Sequence, residues 1–280
     1  MFAVSAPEFC LRETLTSGQT FRWTDNDGWF YGFVDHAVLK IQQAGERLLI
    51  EASDPAITPD RIRDYFGLDH DLPAILSSIN VDSQIHQAIL RYRGLRVLRQ
   101  EGWETLASFI CASFNNIRRI EGMIDRLCQA LGEPAALDGF RGFSFPRPEV
   151  VAAAPERRLR ALGLGYRAPY LRSTARLVAD GKVSIEQLRR VDYAAAKRAL
   201  LSCDGVGDKV ADCVALFGCG QYEAFPIDVW VERAMRYYFR HRRMTRKGLH
   251  DYARRHFGPY AGYAQQYLYH YVRNLRTANR

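Results

Sequence analysis

The sequence predicts an α+β protein: an N-terminal antiparallel β-sheet domain over residues 1–80, then a mostly α-helical region over 81–280. Three observations predict it. Up to about residue 52, short runs rich in aromatic and β-branched residues are separated by polar turns. From Pro59 onward the apolar spacing changes to that of helices, with capping residues ahead of the runs. Late in the chain, Asp204-Gly205-Val206-Gly207 makes a tight turn between two helix-periodic runs, a helix-hairpin-helix at about 192–217. A chain of 280 residues can bury a full core in one large domain or two.

In the sheet region, Thr20-Phe21-Arg22-Trp23 before Asp27-Gly28 reads as the first arm of a hairpin. Residues 29–34, 37–41 and 47–51 continue an antiparallel meander. Gly18, just ahead of it, reads by itself as a turn glycine. Further on, Asp82 caps a helix through Ile85, Ile89 and Tyr92. Residues 103–114 are apolar enough for a central core helix, and Asn115-Asn116-Ile117-Arg118-Arg119 leads into a helix over 120–131. Residues 140–148 read as a Gly/Pro loop and 155–162 as a short basic helix. Helices over 170–179 and 185–191 lead to the hairpin, whose arms are 193–201 and a helix starting near Asp208. After Asp228 come a helix over 229–239, a basic run over 240–247 and a tyrosine-dense helix from 260 to about 275. The basic run suits a solvated surface as well as a phosphate contact.

Bulk composition narrows the function classes. The net charge of +8 favours a polyanionic partner. The six cysteines (Cys10, Cys111, Cys128, Cys203, Cys213 and Cys219) form no CxxC pair, so neither a zinc site nor a cysteine-ligated iron–sulfur cluster is expected. Reduced thiols are the default for such spacing. No signal peptide and no apolar run of bilayer length is apparent, so no membrane partner is expected.

The chemistry-bearing residues cluster around the hairpin. Its amides open a helix, an arrangement that suits a phosphate oxygen. Lys209 lies in the first turn of that helix, where burial and the positive helix end favour a neutral, nucleophilic amine. By itself it is equally well explained as a surface phosphate contact. Asp228, after Phe225-Pro226-Ile227, stands where an N-cap aspartate belongs. The helix dipole there favours an ionised carboxylate, able to stabilise a positive charge that develops beside it. Cys213, at i+4 from Lys209, shares its helix face, where a small buried core residue is ordinary.

Gly-Val-Gly-Asp-Lys-Val-Ala-Asp-Cys followed by Pro-Ile-Asp resembles the signature of the HhH-GPD DNA glycosylases, and within it the 8-oxoguanine DNA glycosylase branch. Four further phrases carry the same resemblance: Ser17-Gly18-Gln19-Thr20-Phe21-Arg22-Trp23, Phe114-Asn115-Asn116-Ile117-Arg118-Arg119, Tyr166-Arg167, and Gly262-Tyr263-Ala264-Gln265-Gln266-Tyr267-Leu268-Tyr269. The resemblance implies a TBP-like sheet domain ahead of the helices and a bifunctional glycosylase/AP lyase that removes 8-oxoguanine opposite cytosine. It implies Lys209 as Schiff-base nucleophile and Asp228 as its electrostatic partner. Gly18, Cys213, Gln265 and Tyr269 would form the base pocket, with the Gly18 carbonyl accepting the N7–H that only the oxidised base carries. Asn115, Arg119 and Arg167 would read the orphan cytosine, with Tyr166 as the wedge. Gly205, Gly207 and Val210 would meet DNA phosphate. No catalytic cofactor is implied, though a monovalent or divalent cation at the hairpin carbonyls is. The expected partner is double-stranded DNA holding oxidised guanine, met by an intracellular monomer in nucleoid or nucleus.

Three positions depart from the family pattern. Phe114 stands where asparagine is common, Trp230 where a phosphate-contacting histidine is frequent, and Asp204 where proline often opens the hairpin. Two other readings stay open at this point. A monofunctional alkylbase glycosylase shares the layout but lacks the hairpin lysine. A non-catalytic hairpin module explains the charge and glycines, though not the distant pocket phrases.

Overall fold

The computed structural model describes residues 1–238 and 244–277. Residues 240–243 of the basic run and Phe239 of the helix before it lie outside the described residues. A five-stranded antiparallel sheet is built from β1 (Phe2–Ser5), β2 (Thr24–Asn26), β3 (Trp29–Val34), β4 (Ala37–Ala44) and β5 (Arg47–Ala52), in the order β1-β5-β4-β3-β2. The antiparallel run of β3 to β5 is as expected, while β2 lies after the segment expected to open the hairpin. Register pairs Phe30 with Ile41 and Ile41 with Ile50, so one apolar row crosses the sheet. That row packs on Phe9, Ile62, Tyr65 and Phe66.

Two features of this region differ from expectation. A helix, α1 (Leu11–Thr16), stands between β1 and β2; it buries Leu11, Thr14 and Leu15 at i, i+3 and i+4. The segment expected to open the hairpin, Thr20 to Trp23, is not a strand, because its side chains are tied elsewhere. Arg22 donates to Glu104 Oε2 (3.0 Å) and to the Phe143 carbonyl, and lies over the Phe33 ring (4.2 Å). Trp23 Nε1 donates to the Tyr65 hydroxyl (3.0 Å).

The helical part begins with α2 (Pro59–Tyr65), α3 (Leu72–Ile79) and α4 (Ser83–Arg91), capped by Thr58, Asp71 and Asp82. The central helix α5 (Gly102–Cys111) is buried at every position but Glu104. It ends three residues earlier than its apolar run suggests: Ser113 begins to emerge and Phe114 leaves the core entirely. Next comes α6 (Ile117–Leu131), capped by Asn116. The expected Gly/Pro loop contains half of a two-stranded hairpin, β6 (Pro134–Leu137) with β7 (Phe140–Phe143), closed by Asp138-Gly139. The Tyr31 ring stacks on Phe140, and Lys40 pairs with Asp138 (2.5 Å). Both contacts lie far apart in sequence, where local pattern gives no sign of them.

Then follow α7 (Pro148–Ala153), α8 (Glu156–Leu159), a π-helical turn (Arg160–Leu164), α9 (Arg167–Ala179) and α10 (Ile185–Leu188). The hairpin arms are α11 (Tyr193–Leu201) and α12 (Asp208–Phe217), as expected. Helix α13 (Val229–Tyr238) precedes a helix that sequence reading missed, α14 (Arg246–Phe257). Thr245 caps it, and Leu249, Ala253 and Phe257 make its inward stripe. The last helix is α15 (Ala261–Thr277).

Three glutamines set the approach to Gly18: Gln19 and Gln266 are buried and Gln100 is partly so. Gln19 Nε2 donates to the carbonyls of Thr14 (3.0 Å) and Arg96 (2.8 Å), while its Oε1 accepts from Leu98 N (2.8 Å). Gln100 Nε2 donates to the Gln19 carbonyl (2.8 Å), and Gln266 Nε2 to the Ser17 carbonyl (3.0 Å). Gly18 is thus held on both sides by bonds to the 96–100 segment and to α15, in surroundings where each bond is hard to give up.

Candidate active site

A cavity of about 1010 Å³ opens between the hairpin, α5, α13 and α15. It brings together Gly18, Lys209, Cys213, Asp228, Gln265 and Tyr269, from four separate stretches of chain. The hairpin residues Gly205, Gly207 and Val210 line it, and so do Asn115, Tyr166 and Arg167. Arg119 does not. It is exposed in the first turn of α6, where its amide donates to Asn116 Oδ1 (3.0 Å).

Lys209 is half-buried, with Nζ 4.9 Å from the centre of the Phe109 ring. That ring stacks on Phe217 (5.6 Å) and takes Phe21 edge-on (5.6 Å). The three phenylalanines form an apolar floor that keeps water from one side of the amine. Helix α12 is fixed from behind. Asp212, almost fully buried, accepts from the Tyr193 hydroxyl (2.6 Å) and pairs with Lys197 (3.0 Å), while His250 of α14 reaches Tyr193 at 3.0 Å. A buried carboxylate so fully partnered holds α11, α12 and α14 in one register.

Cys213 is buried beside Lys209. Burial pushes its thiol up to about 11, against the opposing pull of Lys209, which also hydrogen-bonds it. The sulfur is therefore a neutral wall of the pocket at physiological pH, not a competing nucleophile.

Asp228 caps α13: Oδ1 accepts from Trp230 N (2.9 Å) and Val231 N (2.8 Å). Both cap bonds fall on one oxygen, so the other is not consumed by capping. The cap bonds and Lys209 pull its pKa down, yet burial outweighs them and the net direction is upward. The expectation that the helix end dominates this carboxylate is corrected accordingly: desolvation is the larger effect.

At the far end of the cavity, Gly18 has φ +81°, and a β-carbon there would lie 2.8 Å from Arg273 Nη1 and 3.1 Å from Tyr269 Cε1. Glycine meets both demands, a left-handed backbone and close approach by a neighbour. The two adjacent glutamines divide their work. Gln266 is spent on Ser17, while Gln265, only 5% exposed, has an Oε1 without a hydrogen-bond partner among the described residues. Burying an acceptor unmet costs about 1–3 kcal/mol. Gln265→Leu is therefore expected to melt at or above the wild-type temperature while slowing base release by about tenfold or more. Thermal denaturation and single-turnover kinetics on the same preparation check both halves. Tyr269 finds a partner for its hydroxyl in Arg273, whose guanidinium lies 5.6 Å from the ring centre; burial nevertheless raises the phenol.

At the other rim, Tyr166 is 48% exposed, and its hydroxyl donates to the Ser113 carbonyl (3.2 Å). Arg167 is buried under that ring (4.4 Å) and donates Nε to the same carbonyl (3.1 Å). Across from them Phe114 is 100% exposed, at φ +49°. In the hairpin, Gly205 has φ +78°, and a β-carbon there would meet Tyr170 Cβ at 2.7 Å. No side chain caps α12, so its first amides are directed outward.

Sequence reading missed several lining residues. Phe109 and Phe217 look like any core phenylalanine on an apolar helix, and nothing local distinguishes them. Phe21 stands in the Ser17–Trp23 phrase, where its pattern suggests a strand residue. Arg246 and Arg273 also line the cavity; each sits on a helix with other arginines, so charge alone could not single it out.

The arrangement supplies an amine beside a carboxylate on an apolar floor, and a slot with polar reading groups at its far end. Comparison with known proteins agrees with it. The family model of the 8-oxoguanine DNA glycosylase N-terminal domain matches residues 1–106. That of the HhH-GPD superfamily base excision DNA repair proteins matches residues 107–257. The N-glycosylase/DNA lyase of Saccharomyces cerevisiae is 34% identical over 257 residues, covering 82% of this chain and 68% of its own. The solved structure of MBOgg1 with a low-affinity DNA ligand superposes with TM-score 0.93 at 33% identity, over 98% of this chain and 96% of that one. The Clostridium acetobutylicum 8-oxoguanine glycosylase/lyase, in complex with duplex DNA containing cytosine opposite 8-oxoguanine, superposes with TM-score 0.92 at 28% identity, over 99% of each chain.

Proposed function

The chain belongs to the 8-oxoguanine DNA glycosylases of the HhH-GPD superfamily, and from that membership we infer that it is a bifunctional DNA glycosylase/AP lyase excising 8-oxoguanine opposite cytosine from duplex DNA. The observation that carries the reading at the level of residues is the meeting of Lys209, Asp228, Gly18 and Gln265 in one cavity.

The hairpin amides of Gly205, Gly207 and Val210 hold a phosphate of the damaged strand. The hairpin carbonyls of Cys203 and Asp204 each accept one hydrogen bond, from Val206 N and Thr174 Oγ1. Each keeps a second lone pair with which it would hold a monovalent or divalent cation. The lesion swings out of the stack into the cavity. There Tyr269 offers its face, Gln265 meets the Watson–Crick edge, and the Gly18 carbonyl takes the N7–H. Guanine lacks that hydrogen and would leave the carbonyl facing a lone pair, a penalty that a dry site enforces.

Lys209 Nζ attacks C1′, and the bond from C1′ to the base breaks with its electron pair leaving on the base. Asp228 balances the positive charge that develops on the sugar. Loss of a proton from the lysine nitrogen and opening of the sugar ring give the Schiff base. Removal of a C2′ proton then expels the 3′ phosphate. Asn115, Tyr166 and Arg167 face the gap left in the duplex. Arg119 reaches the orphan base only if the DNA comes to the outer face of α6.

Every residue with a part in this scheme comes from one chain, which supports a monomer as the working unit. Work on genomic DNA supports an intracellular location. Among the described residues no helix is long and apolar enough to cross a membrane.

The test is a duplex with a single 8-oxoguanine opposite cytosine, scored separately for free base and for strand cleavage, beside undamaged and 3-methyladenine duplexes. Free 8-oxoguanine with a strand break supports the reading. Release of 3-methyladenine alone without strand cleavage supports the monofunctional alternative and overturns it.

A further inference from the structure

Phe114 stands apart from the other aromatic side chains. It is 100% exposed, buries nothing, and adopts φ +49°, a left-handed conformation uncommon outside glycine, asparagine and aspartate. A bulky side chain held there carries strain and gives the fold nothing in return. The loop that bears it is nonetheless fixed. It starts where α5 ends at Cys111 and stops at Asn116, whose side chain caps α6. Between them, the Ser113 carbonyl accepts from both the Tyr166 hydroxyl and Arg167 Nε. Phe114 and the exposed Tyr166 are therefore two aromatic prongs anchored on one carbonyl, both lining the mouth of the cavity. Arg118 and Arg119, exposed beside them, suit the flanking phosphates.

We propose that Phe114 is a second wedge: it enters the base stack when the lesion leaves, stacks on the orphan nucleotide, and makes acceptance of that base depend more on stacking than on hydrogen bonds. The inference rests on the function proposed above. An apolar ring is suited to holding open an unstacked step, and every base offers it a π-face. An asparagine in its place would read donors and acceptors. A phenylalanine tolerates any base that presents a flat surface, so this chain discriminates less among opposite bases than its Asn-bearing counterpart would.

The experiment uses the full chain as wild type, Phe114→Ala, Phe114→Asn and Phe114→Gly. It measures single-turnover release of 8-oxoguanine opposite each of the four bases, with a parallel duplex carrying 2-aminopurine opposite the lesion. Glycine and asparagine tolerate the left-handed backbone, so those two variants are expected to melt no lower than wild type, separating folding from function. The Ala variant is expected to lose about tenfold in base release opposite cytosine and to brighten 2-aminopurine by leaving it unstacked. The Asn variant is expected to raise the cytosine-to-adenine rate ratio by about tenfold. An Ala variant with wild-type rate and quenching, or an Asn variant with an unchanged ratio, overturns the proposal. Wild type that releases base while those variants behave as wild type sinks the wedge alone; wild type that releases no base sinks the function and the wedge with it.

Discussion

Lys209→Gln loses base release by on the order of 10⁴-fold and keeps its fold. The magnitude follows from the role: without an amine no Schiff base forms, and only binding and charge stabilisation by the rest of the site remain. The fold survives because Lys209 adds little to it. The side chain is half-buried, and its contact with the Phe109 ring is the kind worth about 0.5–1 kcal/mol at partly exposed sites. Glutamine keeps the length of the stem and can still donate toward the ring and the Cys213 sulfur. Single-turnover release from the 8-oxoguanine duplex, together with a thermal melt, checks both halves. A variant within tenfold of wild type would mean that another group attacks C1′.

Asp228→Asn is expected to cost about 10²–10³-fold in base release, the size seen when one charge-stabilising group is removed from a reaction centre. Asparagine is as good an N-cap as aspartate, so the bonds to Trp230 N and Val231 N are replaced in kind. Asp228→Ala loses the cap as well, at about 1 kcal/mol of stability. The two variants thus separate charge from capping.

The raised pKa of Asp228 gives a second signature. Burial makes ionisation less favourable in the folded chain than in the unfolded one. The folded state is therefore penalised as pH rises through the ordinary aspartate range to the raised value, and the penalty is absent below that range. Asp228→Asn should be at least as stable as wild type at neutral pH, with the advantage shrinking as pH falls through that window. Denaturant titrations along a pH series measure this. The acid limb of wild-type base release should also lie above the ordinary aspartate range, since the ionised form does the work. A variant with full activity, or one clearly less stable at neutral pH, contradicts the assignment.

Much of this site was legible because its parts rest on local sequence chemistry. The hairpin needs glycines at its turn, a lysine in the first turn of α12 and an aspartate at the start of α13, and each leaves a mark within a few residues. Gly18 was legible only through its phrase; its physical reason, a left-handed backbone pressed against Tyr269 and Arg273, appears once α15 is folded back onto it. The phenylalanine floor was illegible for the opposite reason. Phe109 and Phe217 obey the same periodicity as their neighbours, and only tertiary stacking puts them under the amine. Strand β7 reads as part of a Gly/Pro loop because Gly142 and the prolines after it weaken the strand pattern, while the contacts that support its hairpin with β6 come from β3 and β4. Helix α14 carries its own signs in the Thr245 cap and the apolar stripe of Leu249 and Ala253, but they follow directly on a basic run whose pattern is that of a solvated surface. Arg119 stands in the exposed first turn of α6, apart from the cavity that Arg167 lines.

The central claim is a covalent one, and borohydride trapping tests it most directly. Wild type mixed with a labelled duplex holding 8-oxoguanine opposite cytosine should give a stable protein–DNA adduct. Lys209→Gln should give none, and Asp228→Asn a reduced yield of the same adduct. Free base released by wild type without any trapped adduct, or an adduct that persists in Lys209→Gln, would contradict the account.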